Sequence, residues 1–127
     1  WLYQKAWKKS RLQMSRLRGK KAEDLACYHL QQQGLTLVAR NYYCRYGELD
    51  LIMMDADILV FVEVRLRGSS RFGSALESID THKRRKLIFT ANHYLQKKQS
   101  LPVTRFDVVT LDSDNSLEWL TDAFSAD

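Results

Sequence analysis

Three carboxylates and an arginine fall in one short stretch, GELDLIMMDADILVFVEVR, residues 47–65: Glu48, Asp50, Glu63 and Arg65. Both arms of this stretch read as β-strands, and residues two apart in a strand share a face. Glu48 and Asp50 would then point one way, with Leu49, Leu51 and Met53 pointing the other. On the next strand Glu63 and Arg65 share a face, opposite Val62 and Val64. The connection decides whether Asp50 and Glu63 meet. A two-residue loop (Ala56-Asp57) or a four-residue loop (Asp55–Ile58) sets them directly opposite, whereas a three-residue loop (Asp55–Asp57) separates them. Two facing carboxylates on an apolar sheet repel, so one pKa rises unless a cation intervenes. A hard divalent ion, Mg²⁺ or Mn²⁺, is the natural relief, and Arg65 adds fixed positive charge. The competing reading is that these acids end in water, or pair with Arg65 and Lys20 as ordinary ion pairs. Glu63 weighs against it, because it lies mid-strand between two valines.

The elements that must position these groups follow from periodicity. Residues 1–18 read as a basic arm, which a helix docked by Trp7 would also fit. A firmer helix covers about Lys20–Gln33, with Ala22, Leu25, Ala26, His29 and Leu30 on one face and Gly34 as its stop. His29 there reads as a packed residue. LTLVARNYYCR is a first strand, 48–54 and 58–66 the second and third. GSSRFGS is a loop, and Ser74-Ala-Leu-Glu77 matches a capping box. A helix follows over about Thr81–Lys98, capped by Asp80 or Thr81, with Leu87, Ile88, Ala91, Tyr94 and Leu95 buried. RFDVVTL is a fourth strand and LEWL a short fifth, before a tail that docks Phe124. The first three strands are antiparallel by their short connections. The long helix is a crossover that lets the fourth lie parallel to the third. An α/β fold with a mixed sheet results: a basic arm over 1–18 and a single domain over 19–127.

Charge suggests the partner. The chain has 127 residues, with 20 Lys+Arg against 15 Asp+Glu. Residues 1–21 are rich in Lys and Arg and contain no acid, Lys83-Arg84-Arg85-Lys86 form a second cluster, and the tail from Asp112 to Asp127 carries only acids. Such asymmetry points to a polyanion, nucleic acid before an anionic membrane. Lys20, Lys21, Lys83, Arg84, Arg85 and Lys86 are the candidate nucleic-acid contacts. Cations at a helix start oppose its macrodipole, so local stability does not account for the second cluster; taken alone it reads as a solvated charged face, and together with the 1–21 arm it points to phosphate contact. Tyr42, Tyr43 and Tyr46 could stack on unpaired bases, although strand tyrosines more often pack. The two cysteines, Cys27 and Cys44, have no metal-ligand spacing and fit a reducing cytoplasm. No stretch reads as a secretory signal or a membrane span.

GELDLI and FVEVR resemble the D-x(n)-E-x-K signature of the PD-(D/E)XK nuclease superfamily. The resemblance is to the YraN-like endonucleases in particular, relatives of archaeal Holliday junction resolvases. It extends through GKKAEDLACYHLQQQGLTLVARNYYCRYGELDLI, FVEVRLRGSSRFG, KRRKL, RFDVV and EWLTDAF. It implies a restriction-endonuclease-like core in the order α-β-β-β-α-β(-β), with the mixed sheet flanked by helices. By position it implies that Asp50 and Glu63 hold the metal, with the Val64 carbonyl as a further ligand. Glu23 matches an additional helix acid, and Glu48 an outer group. Arg65 stands where the superfamily has lysine. An arginine can stabilise phosphate charge but is a poor base.

The expected function is a Mg²⁺- or Mn²⁺-dependent DNA endonuclease acting on branched or other non-standard DNA, with Glu23, Asp50, Glu63 and Arg65 as catalytic residues. The alternative is a non-catalytic nucleic-acid-binding protein that keeps the fold. A third reading is an interaction module whose basic arm meets an acidic protein. RNA is an alternative substrate, a homodimer is suggested by analogy with resolvases, and the expected location is cytoplasmic.

Overall fold

The structure is a computed structural model of the chain; it describes residues 2–67, 77 and 79–126, with backbone alone before residue 16. The loop expected at GSSRFGS and the capping box expected to start at Ser74 lie outside the described residues. The elements are α1 (Leu2–Gln32), β1 (Thr36–Cys44), β2 (Gly47–Asp55), β3 (Ile58–Leu66), α2 (Thr81–Leu95), β4 (Val103–Leu111) and β5 (Leu117–Phe124). One five-stranded sheet has the order β1-β2-β3-β4-β5. Only the β3–β4 pair is parallel, with α2 in the crossover between them. The expected α/β architecture and element order are those observed.

The largest differences from the sequence reading lie in α1 and β5; α2 also ends at Leu95, short of Lys98, and β4 starts at Val103, before Arg105. The basic arm and the first helix form one continuous 31-residue helix, because nothing in residues 2–32 breaks it; Gly19 weakens a helix without ending it. The stop comes at Gly34, whose φ is 101°. Leu35 N donates to Leu30 O and Gly34 N to Gln31 O, the paired bonds that close a helix on a left-handed glycine. The fifth strand is eight residues long and includes the expected tail, with Phe124 stacked on Phe106 at 4.8 Å.

The helices cover opposite faces of the sheet. Ala22, Ala26 and Leu30 of α1 pack on Leu51, Met53, Val60, Val62, Val109 and Leu111. Leu87 and Ala91 of α2 pack on Leu49, Ile52, Leu59, Phe61, Phe106 and Val108. This membership exposes a break in the β alternation. Leu51 and Met53 lie under α1 as expected, but Leu49 lies under α2 instead of sharing their face. The break falls where Asn41 and Asp50 stand between the pairs Arg40↔Leu51 and Tyr42↔Leu49. Asn41 has a φ of 53°, the left-handed region that asparagine enters more readily than most residues. One irregular position therefore re-aims the acids on β2.

A second irregularity sits at the far edge. The β4–β5 register shifts between Phe106 and Val108, and the fully buried Asp107 fills the gap. Its oxygens accept from Arg105 Nε and Nη2, Trp119 Nε1 and the Asp122 backbone N at 2.8–3.0 Å. A buried carboxylate this fully satisfied is a structural anchor. His29 packs edge-on against Trp119 at 6.5 Å. Among the described residues, no helix is long and apolar enough to cross a membrane.

Candidate metal and phosphate site

The hairpin register places Asp50 and Glu63 together. Asp55 pairs with Ile58, so the turn is the two-residue Ala56-Asp57. Ala56 takes a φ of 55° to make it. The ladder runs from there to Leu51↔Val62. Beyond it Asp50 Oδ2 accepts the Val64 N–H at 2.8 Å, so a carboxylate stands where a strand carbonyl would pair. Val64, expected from the resemblance to offer its carbonyl to a metal, uses its N–H to fix Asp50.

Asp50 and Glu63 line one recess of about 280 Å³ with Gly19, Ala22, Glu23, Val64, Arg65 and Leu66. Glu63 is 6% exposed, and its Oε2 is buried with no hydrogen-bond partner. Burial, then the neighbouring Asp50 charge, push the Glu63 carboxyl up to about 8. Burial raises Asp50 to about 6, opposed by the Val64 N–H and reinforced by Glu23 and Glu48. The repulsion expected from the spacing is therefore present.

Glu23 and Glu48 reach this neighbourhood through a residue that the sequence reading passed over. Asn41 Nδ2 donates to Glu23 Oε1 at 2.8 Å and to Glu48 Oε1 at 3.0 Å. The amide joins two like charges from α1 and β2 at the position where the alternation breaks. Arg40 tethers the helix side, 2.8 Å from Asp24 and 3.7 Å from Glu23. A strand asparagine with poor β propensity was the available signal.

The basic residues separate into different roles. Lys83 Nζ lies 3.8 Å from Glu63 Oε1, so this lysine reaches the buried carboxylate from α2 without lining the recess. Asp80 caps α2 by accepting the Lys83 N–H at 2.8 Å, which holds the lysine over the sheet. Arg84 is turned inward, with Nε on Ile79 O at 3.0 Å and its guanidinium 5.8 Å from the Phe124 ring. Arg85 and Lys86 are exposed, as are Lys20 and Lys21 on α1. Lys21 and Arg18 line a second cavity, of about 390 Å³, that shares Ala22 and Leu66 with the first. Arg65 lines the first recess, and its charge lowers the Glu63 pKa less than that of Lys83 does.

The description "Uncharacterised protein family UPF0102" matches residues 22–111. This span runs from the helix that carries Glu23 through β4. The chain belongs to UPF0102. This family is the YraN-like group that the motifs resemble. A UPF0102 protein of Psychromonas ingrahamii is 49% identical over 114 residues, covering 89% of this chain and 93% of that one. A UPF0102 protein of Pseudomonas fluorescens is 51% identical over 111 residues, covering 85% and 92%. One of Nitrosococcus oceani is 50% identical over 113 residues, covering 84% and 90%. The UPF0102 relatives are bacterial, and their names state no activity.

The donors that line the recess limit the cation it could hold. Among the described residues, no group of three or more His, Cys, Asp or Glu side chains is gathered to hold an ion alone. A closed protein cage of the structural zinc type is therefore not what these residues build. Two carboxylates with an open side match Mg²⁺, which keeps several waters and is commonly held by one or two carboxylates plus substrate phosphate. The orphaned Glu63 Oε2 is the oxygen such an ion would satisfy.

Proposed function

We propose that this chain is a divalent-metal-dependent DNA endonuclease that hydrolyses phosphodiesters at the Asp50–Glu63 recess. The observation that carries this reading is the buried Glu63 carboxylate, its Oε2 without a hydrogen-bond partner, in one recess with Asp50. Retaining two acids in an apolar sheet is costly, and a packed hydrophobic pair would be cheaper if stability were the only role. Asp50, Glu63 and the Val64 carbonyl would hold Mg²⁺ or Mn²⁺. When bound, such an ion would lower the pKa of water and offset charge on the scissile phosphate.

The chain's own groups have separable tasks. The Val64 N–H orients Asp50, and Asn41 holds Glu23 and Glu48 at the rim. Lys83 and Arg65 bring positive charge to the two sides of Glu63 and would steady the phosphate as negative charge develops. Lys83 thereby brings a lysine to Glu63 although Arg65 occupies the superfamily's lysine position. The exposed Lys20, Lys21, Arg85 and Lys86 would contact phosphates away from the reacting one.

The test is cleavage by the full chain with Mg²⁺, Mn²⁺ or EDTA on duplex, flap, four-way junction and single-stranded DNA. Metal-dependent products that disappear in Asp50→Asn are expected. Salt-sensitive binding with no products under any divalent ion would favour the non-catalytic nucleic-acid-binding alternative.

A further inference from the structure

Two aromatic rings stand in water beside the hairpin that carries the acids. Tyr46, in the turn between β1 and β2, lies 5.7 Å from Phe89 of α2, with ring planes 34° apart. Phe89 is 54% exposed and Tyr46 36% exposed. A single exposed aromatic residue needs no explanation, but adjacent ones held as a surface do.

The surface is held firmly. His93, one turn after Phe89, sits 6.3 Å from Tyr46 and is pinned by Tyr42, whose hydroxyl lies 2.6 Å from its Nδ1. Behind the rings the turn presses on α2: a Cβ on Gly47, where φ is 151°, would come within 3.3 Å of Thr90 Oγ1. Rigid rings that remain exposed lose little freedom on meeting a flat partner.

The surrounding charge identifies that partner. The Arg45 guanidinium lies 4.8 Å from the Tyr46 ring centre. Exposed Arg85 and Lys86 precede Phe89 by four and three residues and share its side of the helix. No acid occurs in α2. Aromatic faces among cations suit a polyanion that presents π-faces of its own. In a duplex the base faces are already stacked, so the matching ligand is an unpaired strand.

We infer that Tyr46 and Phe89 form a stacking platform for an unpaired base of single-stranded DNA. The inference deepens the nuclease reading and rests on it for the nature of the substrate: DNA with an unpaired stretch beside the bond to be cut. Tyr46 precedes Asp50 by four residue steps, roughly 13 Å of extended chain. That is about four nucleotides at the stacked spacing of a single strand.

The test is fluorescence anisotropy of the full chain in EDTA, with a labelled oligothymidine and a labelled blunt duplex. Without metal the readout is independent of cleavage, so a failure here is separate from a failure of the nuclease reading. Phe89→Ala should weaken oligothymidine binding by about tenfold and duplex binding by less than about twofold, and Phe89→Tyr should restore it. Bromodeoxyuridine photo-crosslinks should map to Tyr46 or Phe89. Unchanged single-strand affinity, an equal loss on both DNAs, or crosslinks elsewhere would overturn the inference. So would a concentration-dependent dimer of the parent that Phe89→Ala abolishes, since the patch would then be a contact between copies.

Discussion

Lys83 on α2 and Glu63 on β3 approach across the interface between helix and sheet, with Nζ 3.8 Å from Oε1. The carboxylate is nearly enclosed, whereas the lysine side chain is 39% exposed. Losing the lysine therefore affects Glu63 more than it affects the helix. Lys83→Ala should lower metal-free stability by about 1 kcal/mol, less than for a fully buried pair because the lysine is partly solvated. Lys83→Arg should recover most of that. If Lys83 also steadies the phosphate, Lys83→Ala should reduce cleavage by about a hundredfold or more while Mn²⁺ still binds. Urea melts, Mn²⁺ titration and single-turnover cleavage together check these effects.

Asp50→Asn removes one of two repelling charges and keeps an oxygen for the Val64 N–H. Metal-free melting temperature should stay level or rise, and Mn²⁺ affinity should drop by at least about tenfold. A clearly lower melting temperature in EDTA would instead make Asp50 a structural ion-pair partner.

The pH dependence follows from the raised carboxyls. Glu63 moves from an ordinary 4.5 to about 8, and Asp50 from 3.8 to about 6. Between the unfolded and folded values the native state holds more protons than the unfolded chain, so stability falls as pH rises. The metal-free protein should therefore lose stability steadily from about pH 4 to about pH 8 and change little from this source above that. The charged groups acting on Glu63 are Asp50, Lys83, Arg65 and Glu48. Glu63→Gln should flatten most of the slope, and millimolar Mg²⁺ should oppose it in the parent. Thermal melts across pH in EDTA and in Mg²⁺ measure both.

Arg65→Lys should retain a large part of any metal-dependent cleavage, because a lysine there fits the superfamily pattern; Arg65→Ala should lose most of it. An Arg65→Ala protein that is stable and cuts as fast as the parent would leave Lys83 as the cation that matters.

Asp107 provides a control outside the residues that line the recess. With four donors on a fully buried carboxylate, Asp107→Ala should cost about 3–5 kcal/mol and release β5 first. Hydrogen exchange should show early loss of protection across Leu117–Phe124. Cleavage per folded molecule should be unchanged.

Much of this arrangement was legible in the residues. Branched apolar runs marked β2 and β3, Gly34 marked the end of α1, and the valines around Glu63 marked a carboxylate in the wrong solvent. The parity of the turn was open because Asp55-Ala56-Asp57 lacks the glycine or asparagine that usually announces a two-residue loop. Leu49 was assigned to the wrong face because alternation was carried through Asp50, and a break in it leaves little trace in composition. The reach of Lys83 was hidden for another reason. Four consecutive cations look alike in sequence, and only the docking of α2 separates Lys83 on Glu63 from Arg84 on Phe124 and from Arg85 and Lys86 in water.

The grouping of Glu23, Glu48, Asp50 and Glu63 has a temporal consequence. The chain as a whole is cationic, at +5, and so draws in a polyanion from a distance. At the recess these four acids face Lys83, Arg65 and Arg40, and the balance turns negative only when Glu63 is ionised. On the nuclease reading, a phosphodiester would be drawn to the protein and, once Glu63 is ionised, repelled from the recess until positive charge enters it. An order of arrival would follow: nucleic acid could settle on the surface at any time, but its backbone would enter between Asp50 and Glu63 with a cation or after one.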